Sequence, residues 1–197
     1  MAERLAQPPG EERRPKRPEP DRLIGEFSTG ADHLVDVLRG ADPTAACWTW
    51  APAQQNVAFV LRHQVQEAAV HRWDAEHAIG RDVEFGAAMS VDAIEEFLTV
   101  SVSSAADHPA TVMPSLAGSL VLAATDADAT WTVTDGTLPG TVEFSHGGAG
   151  AGLPTVSATA SRLLLWLYGR AQLPVAATDE PGARQLLQRL RALSFTD

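Results

Sequence analysis

Apolar residues recur at helical spacing through the first half of the chain and at strand spacing through the second. The longest periodic stretch runs from Asn56 to Gly80 and predicts one helix of about six turns. Along it Val57, Leu61, Val65, Ala68, Ala75 and Ile79 are spaced by three, four or seven and predict a single apolar stripe. Asn56 suits the N-cap, because its side-chain oxygen accepts from the free N–H groups of the first turn. Gly80 suits the stop, since glycine enters the left-handed conformation without steric cost. Upstream, Leu23, Phe27, Ala31, Leu34 and Leu38 carry the same period from Asp21 to Arg39, with Gly40 as a stop. Gly25 and Gly30 weaken that helix by about 1 kcal/mol each relative to alanine. Downstream, Ser90 reads as the cap of a third helix from Val91 to about Ser104. Its apolar face is Val91, Ile94, Phe97 and Leu98, and Asp92, Glu95 and Glu96 lie near its positive end. Residues 21–106 are therefore expected to form an incomplete antiparallel bundle.

The period changes after Asp107-His108-Pro109. Leu120-Val121-Leu122, Trp131 to Thr134, Thr141 to Phe144 and Thr155 to Ala158 predict short strands. Asp126 to Asp128, Asp135-Gly136 and the glycine-rich 147–152 separate them. The glycine run lacks the lysine and following helix of a phosphate loop, and predicts a hairpin connection. Two helices follow, Ala160 to Tyr168 between Thr159 and Gly169, and about Pro181 to Leu193 behind Asp179. The fold class is α+β, with a helical part ahead of a small α+β domain at 112–197. Residues 1–20 hold five prolines among charged side chains and predict a disordered arm.

A chain of 197 residues, 45% hydrophobic and 20% charged, carries enough apolar material for one large domain or two small ones. A net charge of −10 and a pI near 5.0 argue against a nucleic-acid or anionic-membrane partner. The longest strongly apolar run, Leu163 to Tyr168, is too short to span a bilayer, and no signal-peptide core opens the chain. Cys47 is the only cysteine, so neither an internal disulfide nor a cysteine-based zinc site is available. A cytoplasmic location is expected.

Candidate chemistry lies on the Asn56–Gly80 helix. Glu67 and His71 are four apart and stand about 40° from each other, with Asp74 one turn on and within reach of the imidazole. A helical bundle presents metal ligands with this spacing. An ordinary solvated Glu–His pair has the same spacing. His33 falls on the polar side of the first helix. Trp48 and Trp50 are expected to plug the end of the bundle.

The run QEAAVHRWDAE, residues 66–76, resembles the His-Glu-x-x-x-His-Arg-Trp-Asp-x-Glu signature of the mycothiol-dependent maleylpyruvate isomerase family. Trp48-Thr49-Trp50 resembles a second family segment, and Ala160 to Arg170 resembles the most recognisable part of the family's C-terminal domain. The resemblance implies a DinB-like metal-binding bundle followed by a sterol-carrier-protein-like domain. It implies that Glu67 and His71 are two of three zinc ligands, with Gln66 standing where the family usually has histidine. It also implies mycothiol as thiol cosubstrate and a small electrophilic substrate such as maleylpyruvate. The thiolate would add to an activated cis double bond, rotation would follow, and elimination would give the trans isomer. Arg170 best matches a family arginine that binds substrate; the competing reading is that it sits electrostatically at a helix C-terminus.

The family's first helices, with a Gly-Trp-Thr…His-Leu segment that supplies the remaining zinc histidine, are expected to be missing from this sequence. His63, His33 and Asp74 are the candidate substitutes. The apolar face left short of partners suggests a homodimer or another chain. A non-catalytic binding module, or a truncated family member, is the alternative reading.

Overall fold

The Asn56 side-chain oxygen accepts from the Phe59 N–H at 2.9 Å, so the helix that carries the candidate site starts at the expected cap. The computed structural model describes residues 16–102, 115–147, 152–173 and 182–194. Helix α1 spans Leu23–Gly40 and α2 spans Val57–Ala78. Beyond α2, Gly80 turns at φ 79°, and the N–H groups of Gly80 and Arg81 donate to the carbonyls of His77 and Glu76 at 2.9 and 3.0 Å. That pair of bonds closes the helix end through a left-handed residue.

The chain divides into two units, Met1–Val65 and Gln66–Asp197, and the division falls inside α2. In the first unit α1 buries none of its residues, and Ile24 and Phe27 lie open to solvent. The loop behind it is knotted by Gln55. Its Oε1 accepts from the Thr49 N–H at 3.1 Å, while its Nε2 donates to the carbonyls of Thr49 and Ala51 at 2.9 and 2.8 Å. Thr49 is buried, whereas Trp50 is exposed and lies edge-on to Phe59 and His63. Trp50 therefore covers the side of the first turns of α2.

In the second unit α3 spans Ala87–Glu96 and runs into a π-helical turn, Phe97–Ser101. Ser90 does not cap it. The helix opens three residues earlier, from the extended backbone of Gly86, and the buried Ser90 hydroxyl donates back to the Gly86 carbonyl at 3.1 Å. A serine bonded back to the carbonyl four residues before it is already inside a helix.

Strands β1 (Ser119–Ala124), β2 (Thr130–Asp135), β3 (Val142–His146) and β4 (Thr155–Ala158) form one sheet in the order β3-β2-β1-β4. The β1–β4 pair is parallel and the other two are antiparallel. Helix α4 spans Ala160–Leu167 from a Thr159 cap, and α5 spans Ala183–Ala192. Leu120, Leu122, Trp131, Val133 and Val156 of the sheet share one core with Ile94 and Phe97, with Leu163, Leu164 and Leu167 of α4, and with Leu187 and Leu190 of α5. The expected α+β arrangement is the one the chain adopts. Residues 1–15 of the expected arm, the helix end at Ser104, the segment at Asp107-His108-Pro109, glycine-run residues 148–151 and the Asp179–Pro181 helix start lie outside the described residues. No helix among the described residues is long and apolar enough to cross a membrane.

A second expectation is overturned. The apolar stripe read along α2 is largely solvent-facing, with Leu61, Val65 and Ile79 at 41%, 51% and 66% exposure and Ala68 and Ala75 also exposed. The buried residues are Phe59, Gln66, Val70 and Trp73, along with Val57. At 100° per residue the buried face stands about 150° round the helix from the expected one. Two periodic sets overlap in this sequence, and the set holding the aromatic rings of Phe59 and Trp73 wins because each ring removes more surface from water than an aliphatic side chain does. We therefore expect Trp73→Ala to cost about 3–5 kcal/mol in urea unfolding. Val65→Ala, on the face read as apolar, should change stability by about 0.5 kcal/mol or less. Equal costs for the two would refute this orientation of α2.

Candidate functional site

Burial of Trp73 sets the rotation of α2. Its ring packs with Leu165 and Ala171 and is flanked by Val83 and Phe85. The Phe85 N–H donates to Ser161 Oγ at 2.9 Å, and Arg162 pairs with Asp82 at 3.0 Å, so the segment after α2 is tied along α4. With positions 66, 70 and 73 turned inward, 67, 71 and 74 form the adjacent half-exposed row.

The end of α4 is fixed just as firmly. Gly169 takes φ 75°, its N–H donates to the Trp166 carbonyl at 2.9 Å, and the Arg170 N–H donates to the Leu165 carbonyl at 2.8 Å. This is the two-bond left-handed helix end. The positive φ is what favours glycine at position 169; the Arg191 guanidinium that a Cβ there would meet is the end of a flexible, exposed side chain that can move aside.

From that point Arg170 reaches Asp74. Its Nε and Nη2 donate to the two carboxylate oxygens at 3.1 Å each, and its Nη1 donates to the Tyr168 carbonyl at 2.9 Å. Asp74 Oδ2 lies 3.2 Å from His71 Nδ1, and His71 Nε2 lies 3.4 Å from Glu67 Oε2. Four side chains thus form one row, Arg170–Asp74–His71–Glu67. Arg170 thus bonds a carbonyl at the α4 C-terminus and lays its fork on the protein's own Asp74.

The hydrogen bonds from Arg170 hold the Asp74 carboxyl below its ordinary value of 3.8 against the opposing effect of partial burial, with smaller help from His71. Burial pushes the Tyr168 phenol well above its ordinary value, and the negative charges of Glu67 and Glu96 push it further. A hydrogen bond with Ser101 and the charge of Arg170, whose guanidinium carbon lies 5.7 Å from the ring centroid, act the other way. Tyr168 is thereby a neutral hydroxyl beside two carboxylates.

Of the residues singled out from the sequence, Glu67, His71, Asp74 and Arg170 are brought together. His33 is exposed on α1, and the ring of His63 stacks on Phe59 at 5.4 Å between centroids. Gln66 is buried on the neighbouring face, and its amide atoms have no hydrogen-bond partner among the described residues. Sequence reasoning did not single out Tyr168, Glu96 or Ser101. Tyr168 carried one signal, being the sole tyrosine, two residues before Arg170.

The donor geometry can be tested against a metal. Two ligands about 2.0–2.1 Å from a tetrahedral zinc stand about 3.3 Å apart. His71 Nε2 and Glu67 Oε2, at 3.4 Å, fit two such corners, and Asp74 holds the far ring nitrogen as an outer carboxylate does in zinc–histidine sites. Among the described residues no group of three His, Cys, Asp or Glu side chains completes a site. The fit is to one edge of a coordination sphere.

Two outcomes follow from the charges. Because the folded-state value of Asp74 is depressed, its contribution to stability is full above pH 3.8 and is lost as pH falls through the lowered value. In urea unfolding at stepped pH, the gap between the wild type and Asp74→Asn should close as pH drops below about 4. A gap independent of pH would contradict it. Tyr168 has the opposite sign: its contribution holds below pH 10.0 and is lost as pH rises toward the raised value. As the only tyrosine, it should give no tyrosinate absorbance above pH 10.0 until the fold itself is lost. Ionisation of the native protein near that pH would disprove the buried environment.

The family model described as the mycothiol maleylpyruvate isomerase N-terminal domain matches residues 1–76, and that of the MDMPI C-terminal domain matches residues 88–189. No curated protein and no solved structure matches the chain. The first match takes in Glu67, His71 and Asp74, and the second takes in Tyr168 and Arg170, so the row of side chains draws on both. The chain belongs to the mycothiol maleylpyruvate isomerase family.

Proposed function

We propose that the chain is a thiol-dependent isomerase or transferase acting on a small electrophile, with mycothiol as cosubstrate and with Glu67 and His71 as two donors to a divalent metal, zinc in the first instance. The observation that carries this reading is the 3.4 Å approach of His71 Nε2 to Glu67 Oε2 while Asp74 engages Nδ1. The two atoms stand as far apart as two ligands on a tetrahedral zinc, and Asp74 is placed on the far ring nitrogen as an outer carboxylate is in zinc–histidine sites. Zinc, when bound, lowers the pKa of a coordinated thiol so that a thiolate is available at neutral pH.

The chain's own residues supply the rest. Glu67 and His71 bring a carboxylate oxygen and a ring nitrogen to one point. Asp74, itself forked by Arg170, fixes the orientation of the imidazole ring. The Tyr168 hydroxyl, held neutral, is a hydrogen-bond donor at the same site rather than a competing anion. The family resemblance offers maleylpyruvate as one substrate, and other electrophiles that react with thiols fit the same chemistry. The resemblance also offers Arg170 to a substrate carboxylate.

A non-catalytic binding member of the family is the second reading, favoured by the lack of a third metal donor among the described residues. It predicts weak zinc binding that Glu67→Ala leaves unchanged.

Elemental analysis after dialysis decides between them. About one zinc per chain in the wild type, lost in His71→Ala, supports the metal reading. No metal in either protein would remove it.

A further inference from the structure

Helix α1 is amphipathic, and its apolar side is open. At 100° per residue Leu23, Ile24, Phe27, Leu34 and Val35 fall within an arc of about 120°, while Arg22, Glu26, Asp32 and Asp36 lie outside it. None of the 18 residues of the helix is buried, and Ile24 and Phe27 are 83% and 76% exposed. These five side chains present roughly 600 Å² of apolar surface, the upper end of what a monomer keeps in one patch. Atoms at the rim bring the face close to the roughly 800 Å² that each partner contributes to a stable interface.

A second observation lies in the middle of the same side, where Gly30 and Ala31 stand. Glycine is the poorest helix former after proline, and a Cβ at Gly30 would meet no described atom within 4 Å. Its φ is not among the positive ones. Neither the backbone nor a described neighbour therefore calls for glycine at this position. A helix approaching from outside does, because a missing side chain lets two backbones come close.

The face also matches itself. When α1 is laid against a second copy running the other way, with the two-fold axis beside Gly30, Phe27 of one copy meets Leu34 of the other. In the same register Ile24 meets Val35 and Leu23 meets Leu38. Each pair occurs twice, as an interface between identical surfaces requires. The two small residues of each copy face one another at the crossing, and opposed helix dipoles favour this direction over a parallel pair.

We propose that the chain forms a two-fold homodimer through its α1 helices, packed antiparallel and crossing at Gly30. The pairing is independent of the metal and thiol chemistry under Proposed function.

The test is sedimentation equilibrium of the full chain at about 100 μM, above the micromolar weak end of standard interfaces. The wild type should give twice the 20.9 kDa of one chain, and Phe27→Glu and Gly30→Leu should each give the single-chain mass. Leucine forms helix better than glycine and fits the open space at position 30. Gly30→Leu should therefore keep or raise the helical circular dichroism while it blocks the crossing. With the only cysteine removed by Cys47→Ser, Gly30→Cys should give a disulfide-linked dimer on mild oxidation, since positions beside the axis come within the roughly 7 Å that a disulfide spans between Cα atoms. Leu23→Cys should not, because the two copies of position 23 stand about 20 Å apart along an antiparallel pair. A wild-type mass other than twice that of one chain would overturn the proposal, as would a dimer that either Phe27→Glu or Gly30→Leu leaves intact. Cross-linking through Leu23→Cys would overturn it as well, because it marks a parallel pair.

Discussion

The candidate site hangs on the fork between Arg170 and Asp74, because that contact joins the end of α4 to the site-bearing row of α2. Its value is geometric more than energetic. Asp74 is 37% exposed in its side chain, and pairs this open to water contribute little net stability. A bidentate guanidinium–carboxylate contact does, however, fix distance and plane together. Removing either partner leaves His71 and Glu67 on the helix without a fixed ring orientation. The backbone at Gly169 and the Trp73 ring serve this contact from opposite sides, one by aiming Arg170 and the other by setting the rotation of α2.

That dependence explains what was legible in the residues beforehand. Caps and stops are local chemistry, so Asn56, Gly80, Thr159 and Gly169 fall where their side chains, or the lack of one, direct. Strand positions with alternating burial, such as Trp131 and Val133, also follow from a local pattern. The grouping of Glu67, His71 and Asp74 needed only helical geometry. The face that α2 buries was different, since two periodic sets compete, and the weight of the aromatic set tells only where a ring finds a partner surface, as Trp73 does in Leu165 and Ala171. Ser90 misled for a related reason: serine serves as a cap or as a buried hydroxyl bonded to its own helix, and burial chooses.

Tyr168, Glu96 and Ser101 join the site through long-range packing that no spacing rule connects. Glu96 is the last residue of α3 and Ser101 closes the π-helical turn, while Tyr168 follows α4. A π-helical turn shifts the helix phase by a residue, and such turns recur at functional sites. Here it brings the Ser101 hydroxyl to the Tyr168 phenol. The resemblance to a known family pointed to Arg170, but its partner Asp74 was a matter of three dimensions.

The charge balance of the site bears on what it can hold. Glu67 and Glu96 both act on Tyr168, Asp74 lies in the adjoining row, and the whole chain carries −10. The nearest positive charge, Arg170, is already matched by Asp74. An anionic substrate would meet net repulsion there, as like charges in a partly dry site oppose each other more strongly than in water. A cation between Glu67 and His71 reverses that sign. It would offset the Glu67 charge and make room for a thiolate or carboxylate beside a neutral phenol.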